Sequence, residues 1–365
     1  MTKLFLLAAS IAFAQNRVIT EAEVMKVHKS ALLIDTHNDI TSRTVEGFDI
    51  GPRNTSDRPT HTDLVRMKEG NIGAQFFAVY VAANYVNGNH SANRALQMID
   101  TVRHDIIGRY PNDFVFAGTA ADIEAAHKQG KIAALMGIEG GHAIEDSIRL
   151  LRDFYALGVR YMTLTHSNTN NWADSSGDIN KPDVQHHNGL TDFGKDVVRE
   201  MNRLGMMVDI SHVADKTFWD ALEVSKAPIF ASHSSARALA DVARNMTDEM
   251  IVALAKKGGV VQINFSCGFL KVGSRPNVND VVAHIDHIKQ IAGINAIGIG
   301  SDFDGIGCAP EGLDEVSKFP NLTRALLEKG YSAEDIRKIY GQNFLRVMRA
   351  VEKAAENKPA SDSRR

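Results

Sequence analysis

Short apolar runs alternate with longer helical patterns along most of the chain, and this alternation restricts the fold more than any other feature. We predict eight strands, most of them continuously apolar, which is typical of parallel strands covered on both faces. The predicted strands are 32–35, 73–81, 132–138, 161–165, 206–210, 229–232, 260–265 and 296–300. Eight strands with intervening helices predict a (β/α)₈ TIM barrel in the α/β class, with a doubly wound parallel sheet as the alternative.

Several of the intervening helices have ends that can be located in the sequence. Thr191 is a suitable N-cap, Asp192 suits a first turn, and Gly205 follows the last apolar position of the same helix. Further helices are predicted over 247–257, 280–292 and 332–355. The segment 167–190 is too long for an ordinary loop between strand and helix, so we interpret it as a lid or wall of an active site.

Composition and charge exclude several classes of protein. The chain has 365 residues, of which 44% are hydrophobic and 23% charged, and its formal net charge is −3. These values are typical of a globular protein and exclude a disordered, collagen-like or coiled-coil chain. The near-neutral balance predicts no basic surface for a nucleic-acid partner. We expect residues 15–365 to form one catalytic barrel with a short disordered C-terminal tail.

Residues 1–14 have the pattern of a secretory signal peptide. Lys3 is followed by an apolar run of about ten residues, shorter than the ~20 needed to span a bilayer, and then by a small-x-small cleavage pattern at Ala12 and Ala14. A buried N-terminal helix is the alternative interpretation. A signal peptide implies an exported protein, periplasmic or secreted. Because the polar C-terminus has no apolar tail, we expect this protein to be soluble and to have no stable membrane anchor.

Histidines and carboxylates stand at the ends of six of the eight predicted strands. They are His37, Asp39, Glu139, His166, Asp209, His212, His233, Asp302 and Asp304. A barrel collects the carboxyl ends of its strands at one rim, so these side chains are expected to lie together. Desolvating so many ionisable groups without ions would be costly, and the pattern therefore predicts a metal site. Mixed nitrogen and oxygen ligands suit zinc, and also manganese, cobalt or iron.

These motifs resemble the membrane dipeptidase (renal dipeptidase) family of zinc peptidases, peptidase family M19, including its bacterial members. The resemblance extends from about residue 31 to 349 and rests on the motifs IDTHND at 34–39, GIEGGH at 137–142, TLTH at 163–166, DISH at 209–212, SHSSAR at 232–237 and GSDFDG at 300–305. It implies an amidohydrolase-like barrel that hydrolyses free dipeptides, including those with a C-terminal D-residue. It also implies two Zn²⁺ ions per chain and a homodimer.

The resemblance further implies which side chains bind the metal. His37 and Asp39 would bind one zinc ion, His212 and His233 would bind the other, and Glu139 would bridge the two ions. A carboxylate can bridge because it has two oxygens. Two ions about 3.5–4 Å apart would also hold a bridging hydroxide ready for attack.

Three more residues would act on the substrate if the resemblance holds. His166 would contact the substrate and stabilise the oxyanion, and Arg244 would pair with the carboxylate of the dipeptide. Asp302 would transfer protons between the nucleophile and the leaving amine. Two alternatives remain open: Arg244 as a residue of a surface helix, and Asp302 as an additional metal ligand.

Two other functions are compatible with such a barrel. One is a different binuclear amidohydrolase that acts on a cyclic amide or a β-lactam, but such barrels commonly use a carboxylated Lys as the bridge. No Lys occurs in the strand-end motifs, and Glu139 stands where a bridge is needed. The other is a non-catalytic binding protein, which would be marked by the loss of a ligand, and no expected ligand is missing.

Two pairs of residues lie outside the strand-end motifs. Cys267 and Cys308 follow the seventh and eighth predicted strands, which are neighbours in a closed barrel, so a disulfide and two free thiols are both compatible with the sequence. His284 and His287 lie three residues apart on a predicted helix. We expect that helix face to be solvated rather than to form a second metal site.

Overall fold

The computed structural model describes residues 18–356. The predicted signal peptide, 1–14, and the predicted tail, 357–365, lie outside this range. Within the described range, no helix is both long enough and apolar enough to cross a membrane.

The chain forms a parallel barrel of eight strands with a ninth strand beside it. The strands are β1 (Leu33–Asn38), β2 (Ile72–Tyr80), β3 (Phe114–Phe116), β4 (Ile132–Glu139), β5 (Val159–Thr163), β6 (Met207–Asp209), β7 (Phe230–Ser234), β8 (Val260–Ile263) and β9 (Ile297–Ile299). Their order is β1-β2-β4-β5-β6-β7-β8-β9, with β3 paired to β4 alone. All eight predicted strands are confirmed, and the barrel rather than the doubly wound sheet is the correct architecture.

Helices surround the barrel. They are α1 (Glu21–Lys29), α2 (Thr41–Thr44), α3 (Leu64–Glu69), α4 (Ser91–Thr101), α5 (Ala120–Lys128), α6 (Ile148–Ala156), α7 (Asp192–Leu204), α8 (Asp215–Val224), α9 (Asp248–Lys256), α10 (Cys267–Leu270), α11 (Val278–Ala292), α12 (Phe319–Glu328), α13 (Ala333–Arg337) and α14 (Asn343–Glu356). The predicted ends of α7 are confirmed: the Thr191 side chain accepts a hydrogen bond from the backbone of Gly194, and Gly205 has φ 81°. The single helix predicted over 332–355 is interrupted by π-helical turns at Lys338–Gln342.

The barrel closes between its first and last strands at their carboxyl ends. The Asp302 N–H donates to the His37 carbonyl at 3.1 Å, and the Asp39 N–H donates to the Phe303 carbonyl at 2.8 Å. All four residues belong to the strand-end motifs. The bonds that close the barrel therefore also fix the backbone of the predicted metal site.

An aromatic cluster fills the barrel below this rim. The Tyr161 ring lies 5.1 Å from Phe76 and 5.5 Å from Phe230, measured between ring centroids, and Phe344 of α14 packs on both phenylalanines. A Cβ atom at Gly137 would lie 2.0 Å from the Tyr161 ring, so only glycine fits there. The cluster therefore holds Tyr161 directly beneath the metal-binding motifs.

The expectation that His284 is solvated is wrong. For the two cysteines, the structure decides between the alternatives that the sequence leaves open. His284 is fully buried, and both of its ring nitrogens are paired. Its Nδ1 accepts from the Ala236 N–H at 3.1 Å, and its Nε2 lies 3.0 Å from the Leu270 carbonyl. The loops that follow β7 and β8 cover this helix face. Cys267 and Cys308 form a disulfide with a Cα–Cα distance of 5.5 Å, which joins the loops after β8 and β9.

Candidate metal centre

Five side chains from four strand ends converge at the carboxyl rim of the barrel. His37 and Asp39 come from the end of β1, Glu139 ends β4, His212 follows β6, and His233 lies in β7. At most 10% of any of these side chains is exposed. The structure therefore brings together all five residues that the family resemblance implies as metal ligands.

The two carboxylate oxygens of Glu139 face different histidines. Oε1 lies 3.0 Å from Nε2 of His212 and 3.2 Å from Nε2 of His233. Oε2 lies 3.4 Å from Nε2 of His37, which in turn lies 3.2 Å from Oδ2 of Asp39. Glu139 thus stands between one group of two histidines and a second group of a histidine and a carboxylate.

Hydrogen bonds to the far side of His37 leave its Nε2 available as a ligand. The Tyr161 hydroxyl donates to the Thr36 carbonyl at 3.1 Å and lies 2.7 Å from Nδ1 of His37. With its proton directed to Thr36, the hydroxyl oxygen accepts from an Nδ1–H of His37, and in the neutral ring the lone pair is then on Nε2. Nε2 of His37 and Oδ2 of Asp39 are both buried and have no hydrogen-bond partner among the described residues. Two unpartnered electron donors 3.2 Å apart fit a cation between them.

His233 is oriented in the same way by different residues. The Ser232 hydroxyl donates to Asp209 at 2.6 Å and lies 2.7 Å from Nδ1 of His233, which therefore donates to it and keeps the lone pair on Nε2. Nε2 of His233 lies 3.0 Å from Nε2 of His212. Donor atoms bound at about 2.0–2.1 Å to one tetrahedral zinc ion are about 3.3 Å apart. The separations of 3.0–3.2 Å among His212, His233 and Glu139 match that spacing.

Electrostatics favour metal-binding protonation states at three of the five candidate ligands. Burial lowers the pKa of His212 and His233 well below the usual value, and the charge of Arg244 adds to both shifts. Burial alone would raise the pKa of Glu139, but the charges of His37 and His166 and hydrogen bonds from His212 and His233 hold it well below its usual value. The two imidazoles are therefore neutral and the carboxylate ionised at neutral pH. At His37, burial alone would lower the pKa, but the charges of Tyr161, Glu139 and Asp39 raise it well above its usual value, so a metal ion would displace a proton there.

His166 and Asp302 lie slightly farther out than the five ligands. Nε2 of His166 is 3.9 Å from Oε1 of Glu139, and its ring packs edge-on against Tyr80 with centroids 4.8 Å apart. Oδ1 of Asp302 is 4.0 Å from Nε2 of His37, and its Oδ2 accepts from the Asn264 amide at 2.8 Å. Burial raises the pKa of Asp302 to about 8, and nearby carboxylates add to the rise.

Arg244 lies in the loop between β7 and α9, so the alternative of a surface helix is wrong. Its Nη1 donates to the Ser234 hydroxyl at 2.9 Å and its Nη2 to the His233 carbonyl at 2.8 Å. The guanidinium carbon lies 5.4 Å from the centre of the Phe269 ring. Its Nε has no hydrogen-bond partner within residues 18–356. Arg244 is thus held beside a predicted ligand, and its Nε–H is left unpaired.

A cavity of about 450 Å³ opens onto this centre. Tyr80, His166, Phe269 and Asp302 are among the residues that line it, together with Ser167 from the segment 167–190. The Ser176 N–H of that segment donates to the His212 carbonyl at 2.8 Å. The segment is therefore a wall of the cavity, as one of the two interpretations of the sequence predicts.

The backbone at the rim is held in an uncommon conformation. His212, Asp302 and Asp304 have φ values of 67°, 64° and 66°, in the left-handed region that residues other than glycine seldom adopt. Such strain persists only where the surrounding structure enforces it, and it concentrates at functional sites.

The sequence analysis missed Tyr161, Ser232 and Asn264, which orient His37, His233 and Asp302. Asn264 stands at the end of a predicted strand, so the rule that identified the other residues could have found it. Ser232 directly precedes His233, but nothing in the sequence distinguishes it from an ordinary serine. Tyr161 lies 124 residues from the histidine it contacts, and only the fold reveals the pair.

Comparisons with known proteins identify the family of this chain. The family model of the membrane dipeptidases, peptidase family M19, matches residues 21–362. An uncharacterised dipeptidase of Schizosaccharomyces pombe is 38% identical over an alignment length of 369 residues, gaps included. The alignment covers 95% of this chain and 86% of the relative. A metallo peptidase of Rhodobacter sphaeroides, solved with a phosphinate mimic of the dipeptide L-Ala-D-Ala, is 28% identical with a TM-score of 0.79, covering 88% of this chain and 99% of its own.

A further solved structure supports the fold alone. The probable dipeptidase PvdM of Pseudomonas aeruginosa has a TM-score of 0.82 at 24% identity, over 92% of this chain and 98% of its own. The family match spans nearly the whole described chain, and the residues of its motifs meet at one rim. The chain is a metallodipeptidase and belongs to the membrane dipeptidase family, peptidase family M19.

Proposed function

We propose that this metallodipeptidase is zinc-dependent and hydrolyses free dipeptides, including those with a C-terminal D-residue. The observation that carries the proposal is Glu139, which offers one oxygen to His212 and His233 and the other to His37. The donor set of three imidazoles and two carboxylates suits zinc. The phosphinate mimic of L-Ala-D-Ala bound by the Rhodobacter sphaeroides relative supports the choice of substrate.

His37 and Asp39 would hold one ion, His212 and His233 the other, and Glu139 both. When bound, the ions would lower the pKa of a water molecule and polarise the scissile carbonyl. Tyr161 and Ser232 would fix the orientation of His37 and His233 through their Nδ1 atoms.

Three side chains near the cavity would act on the substrate itself. His166 lines the cavity and would donate a hydrogen bond to the carbonyl oxygen as negative charge develops there. The free N–H of Arg244 and its planar guanidinium would bind the carboxylate that ends a dipeptide. Asp302, held by Asn264, would take up a proton from the nucleophile and deliver it to the leaving amine.

We also propose that the enzyme is exported. The disulfide between Cys267 and Cys308 supports this, because structural disulfides persist mainly in oxidising compartments. Fractionation of the producing cells, with N-terminal sequencing of the exported protein, would test it. A cytosolic protein that begins at Met1 would contradict export.

Elemental analysis combined with a substrate panel tests the proposed activity. We expect about two zinc ions per chain, and cleavage of L-Ala-L-Ala and L-Ala-D-Ala but not of an N-acetylated dipeptide. His233→Ala should lower both the zinc content and the rate, whereas His104→Ala, with 71% of its side chain exposed, should change neither. Bound metal without dipeptide cleavage would favour a different amidohydrolase activity. A folded protein that binds no metal would overturn the ligand assignment.

A further inference from the structure

A second cavity, of about 300 Å³, lies beside the metal centre. It is formed by the loops that follow β2, β4 and β5, and Asn89, His142, Glu145 and Asp146 are among its lining residues. His142 is three residues from Glu139 in sequence. The two cavities therefore share the loops that build the rim.

The charge of this cavity is negative. Glu145 accepts one hydrogen bond, from the Ala92 N–H at 2.9 Å, and Asp146 accepts one from the Asn171 amide at 2.6 Å. Neither carboxylate forms a salt bridge within residues 18–356, and no Lys or Arg of that range is among the lining residues. The lining thus offers spare carboxylate lone pairs and no cation to neutralise them.

Two buried, uncharged acceptors also line the cavity. His142 is only 6% exposed, and its Nε2 lies 2.9 Å from the Val81 carbonyl, to which it donates. Burial lowers the pKa of His142 to about 4, so the ring is neutral and Nδ1 carries a lone pair. Nδ1 of His142 and Oδ1 of Asn168 are buried without a hydrogen-bond partner in the described part of the chain. Unpartnered buried acceptors are costly, which indicates a ligand that donates hydrogen bonds.

The backbone of the lining is also held in an uncommon conformation. Asn89, Glu145 and Asp146 have φ values of 56°, 45° and 55°. Two consecutive left-handed residues, one of them a glutamate, are costly to maintain. The loop therefore presents both carboxylates in an orientation that only the folded environment enforces.

The strand order places this cavity across the barrel mouth from Arg244. Arg244 follows β7, the sixth strand of the barrel, whereas the cavity follows its second, third and fourth strands. In an eight-stranded barrel the sixth strand lies opposite the second. A dipeptide with its C-terminal carboxylate on Arg244 would extend its N-terminal residue toward the cavity.

We propose that this cavity binds the cationic side chain of a Lys or Arg at the N-terminal position of the dipeptide. The inference rests on the proposed function for the orientation of the substrate. An ammonium group supplies three donors and a guanidinium five, without any acceptor, which matches a lining that offers acceptors and negative charge.

Matched substrates test the proposal. We expect the wild-type enzyme to cleave Lys-Ala with a kcat/KM about tenfold higher than norleucyl-Ala, which has a side chain of similar shape without charge. The preference should fall as salt is added. Glu145→Gln combined with Asp146→Asn keeps one acceptor oxygen on each side chain and removes both charges, so the ratio should fall to about one. Glu328→Gln, an exposed acid at the end of α12, should leave the ratio unchanged.

A binding measurement separates this proposal from the proposed function. Binding of lysinamide and norleucinamide is compared by ligand-observed NMR on the wild-type protein and the double variant, each shown to be folded by circular dichroism. Selective binding of lysinamide that the double variant loses supports the cavity even if no dipeptide is cleaved. Equal binding of the two amides, or cleavage of Lys-Ala and norleucyl-Ala with equal kcat/KM in the wild type, would overturn it.

Discussion

Tyr161→Phe removes the hydroxyl that orients His37 and leaves the rest of the site in place. The ring should stay between Phe76 and Phe230, because its packing against them does not involve the hydroxyl. The hydroxyl contributes one contact of 2.7 Å to Nδ1 of His37 and one of 3.1 Å to the Thr36 carbonyl. Without it, the imidazole can rotate or adopt the tautomer with its proton on Nε2, which cannot bind metal.

The expected size of the effect follows from these two contacts. Loss of an outer hydrogen bond to a ligating histidine lowers metal affinity about 10–100-fold, which corresponds to about 1.4–2.7 kcal/mol. Two buried polar groups left without the hydroxyl cost about 1–3 kcal/mol of folding free energy. Only the site built on His37 and Asp39 should weaken, since His233 is oriented by Ser232 instead. One of the two proposed zinc ions should therefore be released at a lower chelator concentration.

A chelator competition titration, followed by metal analysis, measures the affinity, and urea unfolding of the metal-free protein measures stability. Tyr340→Phe is the matched control, because Tyr340 is fully buried and its hydroxyl lies 2.7 Å from the Thr323 hydroxyl, away from the rim. We expect the control to lose stability but to keep both zinc affinities. Unchanged zinc affinity in Tyr161→Phe, together with a normal loss of stability, would refute the orienting role.

Three other predictions concern the substrate, the disulfide and pH. Arg244→Ala should raise KM for free dipeptides about 10–100-fold but change KM for the C-terminal amides much less, and equal losses in steady-state assays would argue against carboxylate recognition. Replacing Cys267 and Cys308 by Ser opens a loop with a sequence separation of 41 residues and should cost about 4 kcal/mol in urea unfolding, so a loss below about 1 kcal/mol would contradict a structural role. Burial lowers the pKa of His28, so the unfolded state binds more protons and stability should fall as pH drops through about 6.5. The fall between pH 7.5 and 5 should be smaller in His28→Gln, and an identical fall would show that other groups cause it.

Much of the architecture could be predicted because its signals are local. Strands covered on both faces are apolar throughout, and helix ends such as Thr191 and Gly205 depend on residues within one turn. The three-residue strand Phe114–Phe116 was missed, since it is too short to show a period and pairs only with β4. His284 was placed at the surface because periodicity describes its helix but not the loops that cover it.

The family resemblance implied which five residues would bind metal. The sequence by itself determined the barrel and the group of histidines and carboxylates at its rim. It did so because parallel strands of one barrel must end at the same edge, whatever lies between them. The tertiary structure alone decided which oxygen of Glu139 faces which histidine, that Cys267 pairs with Cys308, and that Tyr161 supports His37. These contacts join residues far apart in the chain, and their distances depend on how every strand and loop between them packs.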